Sequence, residues 1–276
     1  PLGFARDGAL GTLPRSSSEP TMLFAAPAGI LITFIALPVV ALVLRGVTTG
    51  DFWGSLSKPL VWEALRLTLT TTMLTLLIVV VTGTPLAYLL VRRRFRGRSL
   101  IQTIVDLPLV LPPMVAGVAL LMAFGRVGLL GRQLTLIGLD LPFTTAAVVM
   151  AQTFVAAPFY VRGARLGFAA IDRSVEEAAI MDGAGFWQAF LHILLPLARP
   201  GLTGGAVLCL GRALSEFGAT LLFAGNFAGR TQTMSLAIFQ AMQSDLSAAL
   251  VLAVLLVAVS CAVLVASQLF GNQNVE

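Results

Sequence analysis

Residues 177–196 of this chain read EAAIMDGAGFWQAFLHILLP, a polar, helix-forming stretch between long apolar segments. Just before it, Asp172 and Ser174 are both good residues for the start of a helix. Ser174 also stands three positions ahead of Glu177, which is the spacing of a capping box. Gly183 follows, and glycine tolerates the left-handed geometry of a helix C-terminus. The sequence therefore predicts a short exposed helix that begins near Ser174 and ends near Gly183.

The composition indicates an integral membrane protein. Hydrophobic residues make up 57% of the chain and charged residues only 11%, whereas soluble domains carry roughly 25% charged residues. The apolar runs are continuous rather than alternating, which favours transmembrane helices over a β-barrel. The net charge of +5 does not indicate nucleic-acid binding, because the arginines lie between the apolar segments. Two cysteines in apolar segments and one histidine, His192, provide neither a disulfide framework nor a metal site.

Six apolar segments are long enough to cross a hydrocarbon layer of about 30 Å as helices. We therefore predict an all-α fold with about six transmembrane helices and a polar loop, residues 172–196, between the fourth and the fifth. A flexible tail, residues 1–20, precedes a transmembrane domain over residues 21–272. Within the loop, a second short apolar helix is expected over residues 186–195. The predicted membrane helices cover residues 22–44, 63–91, 101–124, 143–162, 197–224 and 246–270.

The distribution of basic residues predicts the orientation in the membrane, because cytoplasmic loops carry an excess of Lys and Arg. With both termini in the cytoplasm, eleven arginines face the cytoplasm and five basic residues face outward. The eleven are Arg6, Arg15, Arg92, Arg93, Arg94, Arg96, Arg98, Arg162, Arg165, Arg173 and Arg199, and the five are Arg45, Lys58, Arg126, Arg132 and Arg230. This orientation places residues 172–196 on the cytoplasmic side of the inner membrane, where a cytoplasmic protein can reach them.

The chain lacks the residues that would bind or hydrolyse ATP. It has no G-x-x-x-x-G-K-[ST] phosphate loop, and the only lysine, Lys58, is followed by proline in an external connection. A catalytic site would need a cluster of His, Asp, Glu or Cys side chains. We therefore expect no catalytic residues and no bound metal, and any ATP hydrolysis must come from another polypeptide. A secondary transporter is the alternative, although ion coupling would require more ionisable groups near the middle of the membrane.

Four polar residues in or near the fifth predicted membrane helix are candidates for a translocation pathway. Arg212 and Glu216 are four residues apart and share a helix face, and an isolated charge in lipid costs about 2.5–3.5 kcal/mol on insertion scales. Arg212 therefore either flanks the path of an anion, with Glu216 holding its orientation, or forms with Glu216 a purely structural ion pair. Thr220 and Asn226 would add hydrogen-bond donors to such a path.

The spacing E-A-A-x₃-G-x₉-I-x-L-P resembles the cytoplasmic "EAA" loop of permease subunits in binding-protein-dependent, type I ABC importers. The resemblance implies that a short helix in this loop docks into a cleft on a separate ATPase subunit. That subunit would bind the ATP, so that this chain carries no cofactor and is a pore-forming subunit rather than an enzyme. The resemblance also implies a homodimer of this chain, two cytoplasmic ATPases and an extracytoplasmic binding protein. A bland alternative is an amphipathic helix that lies against membrane lipid. The positions of the ATPase-coupling loop are Glu177, Ala178, Ala179, Gly183, Gly185, Ile193, Leu195 and Pro196.

Three further stretches resemble the molybdate and tungstate permeases of this class. They are Asp106–Pro113 (DLPLVLPP), Arg212–Asn226 (RALSEFGATLLFAGN) and Gly229–Ile238 (GRTQTMSLAI). The sulfate permeases share much of the second stretch, so sulfate or thiosulfate is the alternative substrate, while the third stretch favours molybdate. Position 215 is a serine where these permeases are expected to have glycine. The resemblance implies ATP-driven import of molybdate or tungstate across the cytoplasmic membrane.

Overall fold

The computed structural model describes residues 19–48 and 52–272, and it contains no strand in these ranges. A 3-10 turn covers Leu107–Leu109 and a π-helical stretch covers Phe190–Leu194. The α-helices are α1 (Glu19–Thr48), α2 (Phe52–Leu56), α3 (Pro59–Arg92), α4 (Arg98–Asp106), α5 (Pro113–Phe124), α6 (Gly131–Leu136), α7 (Thr145–Ala169), α8 (Arg173–Met181), α9 (Phe186–Ala189), α10 (Leu195–Leu214), α11 (Gly218–Ala224), α12 (Met234–Ala241) and α13 (Leu246–Asn272).

The chain divides into two compact units, with the boundary between Arg45 and Gly46. The first unit contains most of α1, a 30-residue apolar helix with Pro27 and Pro38 in its interior. The second unit contains α2 to α13 and all of the candidate site residues. The predicted tail, residues 1–20, lies almost wholly outside the described residues.

The membrane-spanning character of the fold is confirmed by helix length and composition. Four helical segments among the described residues are long and apolar enough to cross a membrane, and α4 with α5 forms a fifth, broken one. Helix α7 has 25 residues, which corresponds to about 37 Å at about 1.5 Å per residue, so it is also long enough. The four apolar segments are Phe24–Thr48, Pro59–Arg92, Phe186–Leu214 and Leu246–Ala266.

The third predicted membrane helix, residues 101–124, is wrong as a continuous span. Helix α4 and the 3-10 turn end before α5 begins at Pro113, and the two halves are bent by 119°. Pro112 and Pro113 lack N–H donors, and each proline disfavours a helical conformation in the residue before it. The proline-rich stretch therefore turns the chain instead of bending one helix.

The fifth predicted membrane helix, residues 197–224, begins earlier and ends earlier than expected. One helical segment runs from Phe186 through α9, the π-helical stretch and α10 to Leu214. The second short helix expected in the loop is therefore the first part of this span. Pro196 is accommodated directly after the π-helical stretch, where the hydrogen-bonding register changes. The chain leaves the helix at residues 215–217, and α11 is a separate element.

Helices α3, α7 and α10 pack together and position the candidate site. The contact between α7 and α10 is the most extensive in the fold, and glycines make it possible. A Cβ atom added to Gly163 would lie 2.5 Å from the Cα of Gly205, and Gly167 meets Gly201 one turn away. Small residues at such spacing let membrane helices approach at backbone distance. The resulting core includes Tyr160 and Phe168 and reaches the end of α3 at Tyr88.

Candidate coupling site and polar membrane interior

Helix α8 contains the start of the EAA-like segment, and Asp172 begins it. The Asp172 carboxylate accepts a hydrogen bond from the backbone N–H of Ser174, with a distance of 2.9 Å between Oδ1 and N. This backbone hydrogen bond lowers the pKa of Asp172 below its ordinary value. The predicted capping box between Ser174 and Glu177 is wrong, because Asp172 is the N-cap and Ser174 already lies inside the helix.

Two glycines separate α8 from the next helix. Gly183 follows the last turn of α8 with a φ of 87°, a conformation in which an L side chain is strained. Gly185 has an extended conformation and begins α9, where its N–H donates to Oε1 of Gln188 at 2.9 Å. The two glycines therefore do different work: Gly183 ends one helix and Gly185 starts the next.

Some side chains of the motif are exposed and others are buried. Glu177 and Ala178 are exposed, whereas Ala179 is buried. Within the described residues, Glu177 forms no ion pair. Further along, Ile193 and Leu195 are half-buried and Pro196 is exposed. The start of the motif thus presents one carboxylate and one small side chain on an open surface.

The inward side of α8 is attached to the end of α3. The hydroxyl of Tyr88 donates to Oε1 of Glu176 at 2.8 Å, and Nε of Arg92 lies 3.5 Å from Oε2 of the same carboxylate. Arg92 also donates from Nη2 to the carbonyl oxygen of Ile171 at 3.0 Å. The sequence analysis missed Glu176, because the motif draws attention to the neighbouring Glu177. The available signal was the four-residue spacing of Tyr88 and Arg92 at the end of an apolar helix.

Three of the arginines predicted to face the cytoplasm make contacts between neighbouring segments of the fold. Arg92 at the end of α3 contacts the segment that leads into α8. In the second half of α7, Nε of Arg162 lies 3.0 Å from Oδ1 of Asp106 in α4, and Arg165 approaches the same carboxylate. These contacts join the end of α3 to the segment that precedes α8, and the end of α4 to α7.

Two of the candidate pathway residues, Arg212 and Glu216, form an ion pair at the end of α10. Nη2 of Arg212 lies 2.7 Å from Oε2 of Glu216. The Glu216 side chain has no exposed surface, and that of Arg212 is 21% exposed. Oε1 of Glu216 also accepts the backbone N–H of Ala219 at 2.8 Å, so this carboxylate fixes the start of α11. The pair therefore holds the break at residues 215–217 in place.

Thr220 and Asn226 do not join this pair. Thr220 is fully buried in α11, and its hydroxyl has no hydrogen-bond partner among the described residues. Asn226 lies beyond α11 and donates from Nδ2 to Oε1 of Gln240 at 3.1 Å. Gln232 donates to the same oxygen at 2.7 Å. Asn226 is thus part of an amide cluster with Gln232 and Gln240, which the sequence analysis did not identify.

A polar seam on α3 was also missed. Thr75 donates to Oε1 of Gln152 at 3.1 Å, and Nε2 of Gln152 donates to the carbonyl of Ala213 at 3.3 Å. Thr68 accepts the backbone N–H of Met234 at 2.8 Å and so supports the start of α12. The signal was present as helical spacing within an apolar segment. The buried threonines of the seam are Thr68, Thr71, Thr72 and Thr75.

Comparison with known proteins gives a family, two relatives and a fold. The profile of the family described as "Binding-protein-dependent transport system inner membrane component" matches residues 79–275. The "Molybdenum transport system permease protein ModB" of Mycobacterium tuberculosis is 41% identical over 232 residues, which are 84% of this chain and 88% of that protein. The "Molybdate/tungstate transport system permease protein WtpB" of Thermococcus kodakarensis is 38% identical over 203 residues, or 73% and 77% of the two chains. A solved bacterial ABC transporter for the polysaccharide alginate has the same fold, with a TM-score of 0.72, 21% identity and coverage of 92% and 96%.

Proposed function

Because this chain belongs to the inner membrane components of binding-protein-dependent transport systems, we propose that it imports molybdate or tungstate as the permease subunit of an ATP-driven ABC transporter. It is a multi-pass protein of the inner membrane and a pore subunit rather than an enzyme. The similarity to molybdenum permeases over 84% of the chain carries the choice of substrate. The exposed Glu177-Ala178 surface of α8 supports the choice of energy source.

We propose that α8 is the docking helix for a cytoplasmic ATPase, which binds the ATP while this chain carries no cofactor. Both termini then lie in the cytoplasm, as the eleven-to-five distribution of basic residues favours. Two copies of this chain and two ATPases form the importer. ATP binding draws the two α8 helices together and opens the pore outward, and an extracytoplasmic binding protein then delivers the anion.

The passage of a dianion requires hydroxyls, N–H groups and a modest positive potential rather than a tight site. Arg212 supplies the potential, with Glu216 holding the guanidinium in position through the 2.7 Å contact. Thr220 contributes a buried hydroxyl that is not engaged within the described residues, and Asn226 contributes an amide near the outer end. Selectivity between oxyanions then resides mainly in the binding protein.

Transport in proteoliposomes tests the proposal. The chain is reconstituted with its cognate ATPase and binding protein, and uptake of radiolabelled molybdate, tungstate and sulfate is measured with ATP inside the vesicles. Uptake of molybdate or tungstate in preference to sulfate is expected, and it should stop when the phosphate-loop lysine of the ATPase is replaced. Preferential sulfate uptake would assign the alternative substrate, whereas uptake without ATP would indicate a secondary transporter.

A further inference from the structure

One carboxylate of α8, Glu176, faces the helix bundle and not the open surface. We infer that Tyr88, Arg92 and Glu176 form a joint, here called the α3–α8 joint, through which movement of α8 carries the inner end of α3. The inference rests on the proposed function, because it concerns how force from the ATPase reaches the membrane helices. Glu176 is a positioning residue in this account, since it acts through α3 and does not touch the transported anion.

Two side chains of α3, Tyr88 and Arg92, contact the same carboxylate. Tyr88 and Arg92 are four residues apart, so they lie on one face of the last turn of α3. The Tyr88 hydroxyl donates to one oxygen of Glu176, and the Arg92 guanidinium lies beside the other oxygen. A hydrogen bond to a charged group is roughly twice as strong as one between neutral groups. Two contacts to one carboxylate also resist rotation of α8 better than one contact does.

Arg92 extends the joint to α7. Its Nη2 donates to the carbonyl of Ile171, which lies between α7 and α8. The Arg92 side chain is 6% exposed and that of Glu176 is 20% exposed. Charges in such a position are much less screened by salt than charges on an open surface. The joint therefore keeps its strength at cytoplasmic ionic strength.

The ring of Tyr88 forms a second part of the same connection. It packs edge-on against Phe168 of α7, with 5.7 Å between ring centroids, and against Phe190 at 5.2 Å. Phe186 at the start of α9 is also in contact, at 5.9 Å. Aromatic pairs in this geometry are worth about 0.5–1.5 kcal/mol beyond the area they bury. One residue of α3 thus contacts the segments on both sides of α8 as well as α8 itself.

The neighbouring glutamates differ in exposure and in contacts, although both border one small polar cavity. Successive residues on an α-helix differ by about 100° in direction. As a result, Glu176 turns toward α3 and Glu177 toward the open surface. An outward carboxylate suits contact with an ATPase, and an inward one suits attachment to the bundle. The two residues should therefore affect different steps: Glu177 the binding of the ATPase, and Glu176 the transmission of its movement.

A transport assay separates these steps. In proteoliposomes with the ATPase and binding protein, Glu176→Gln and Tyr88→Phe should retain ATPase affinity and ATP hydrolysis. They should lower the anion transported per ATP by about tenfold, the effect of losing a hydrogen bond to a charged group. The double variant should transport as much anion per ATP as the more impaired of the two single variants, because both changes break the same connection. Tyr160→Phe is the matched control, since Tyr160 is also buried and its hydroxyl bonds to Thr84 at 2.6 Å outside the joint.

Distance measurements give a readout that a merely structural contact would not move. Spin labels at positions 94 and 180, both exposed, are introduced in a background without Cys209 and Cys261. In the complete complex, the distance between the two labels should be the same without nucleotide and with ATP. In the Glu176→Gln variant, the distribution of this distance should broaden when ATP binds. A distance that changes with ATP in the unsubstituted joint would overturn the inference. So would normal transport per ATP in both single variants. If Glu177→Ala also transports normally, the failure lies in the proposed docking function and not in the joint.

Discussion

Among the helices that start at a carboxylate accepting a backbone N–H, α8 and α11 have completely different surroundings. At α8, Asp172 accepts from Ser174 at 2.9 Å on an exposed surface. At α11, Glu216 accepts from Ala219 at 2.8 Å with no exposed side-chain surface and with Arg212 beside it. The same kind of hydrogen bond therefore occurs once on an exposed surface, where we propose that a partner docks, and once in the buried interior.

The difference indicates where the molecule tolerates change. An exposed cap can be lost and replaced by water, because solvent satisfies the freed N–H. A buried carboxylate that is removed leaves both an N–H and a guanidinium without a partner in a poorly solvated region. Function at α8 should therefore respond to substitution without loss of the fold, whereas single changes at the α10–α11 break should cost stability first.

The largest expected effect comes from breaking the buried pair. Glu216→Ala should destabilise the protein by about 3–5 kcal/mol, because it leaves Arg212 partly buried without its counter-charge. The change is measured by thermal unfolding in detergent, with the remaining fraction of monodisperse protein as the signal. Arg126→Ala is the control, since Arg126 pairs with Asp140 while 68% exposed, and it should leave the unfolding temperature nearly unchanged. Equal unfolding temperatures for Glu216→Ala and the parent protein would contradict the claim that the buried carboxylate at α11 contributes more stability than the exposed one at α8.

Removing both charges separates stability from transport at the same place. The double variant Arg212→Gln with Glu216→Gln should fold, because no unpaired charge remains in the interior. Its uptake of oxyanion should nevertheless fall about tenfold, the factor that corresponds to about 1.4 kcal/mol lost along the path. Uptake assays with the amount of inserted protein held constant measure this effect. Unchanged uptake would show that the pair is structural only.

At α8, Glu177→Ala should lower ATP-driven uptake about tenfold while insertion and thermal stability stay at the level of the parent protein, since surface substitutions usually change stability by less than about 0.5 kcal/mol. The physical reason is the loss of an exposed carboxylate from the docking surface. Co-purification with the ATPase and uptake in proteoliposomes are the measurements. Asp182→Asn, an exposed carboxylate just beyond the same helix, is the control. A loss of folded protein, rather than of ATPase binding, would contradict the assignment of α8 to docking.

The smallest expected effect concerns the exposed cap. The pKa of Asp172 is lowered by the hydrogen bond from Ser174, so the cap stabilises α8 above the unfolded-state pKa of about 3.9 and is lost as the pH falls through the folded value. Protection of the α8 amides from hydrogen exchange should thus be constant from pH 8 to about pH 5 and decrease only in more acidic solution. Asp172→Asn should reduce this pH dependence and keep the cap, whereas the Glu176 carboxylate still contributes to it. Loss of protection near neutral pH would show that another group controls α8.

The sequence predicted the parts of the molecule that depend on neighbouring residues. Hydropathy identified α1, α3 and α13, and the glycine at 183 marked the end of α8 because only its local φ mattered. The proline-rich turn at residues 107–113 and the early end of α10 were predicted wrongly as continuous helices. The turn follows from the local restriction that the prolines impose, and the early end of α10 depends on the buried contacts of Glu216. Apolar length reports neither.

In the candidate site too, features contained in a short segment were predicted, and contacts between distant segments were missed. The motif positions of α8 and the spacing of Arg212 and Glu216 were visible because each is contained in one helical turn or motif. Glu176 was missed since its partner Tyr88 lies 88 positions away, and the amide cluster of Asn226 and Gln240 forms only once α12 folds back. Pairings of this kind require the fold before they can be recognised.

The central claim is that a cytoplasmic ATPase docks on the exposed surface of α8. Ala178→Cys, in a chain without Cys209 and Cys261, places a single thiol on that surface. A membrane-impermeant maleimide should label it in inside-out vesicles but not in intact cells, and bound ATPase should block the labelling. Labelling from the outside of intact cells, or equal labelling with and without the ATPase, would contradict the account.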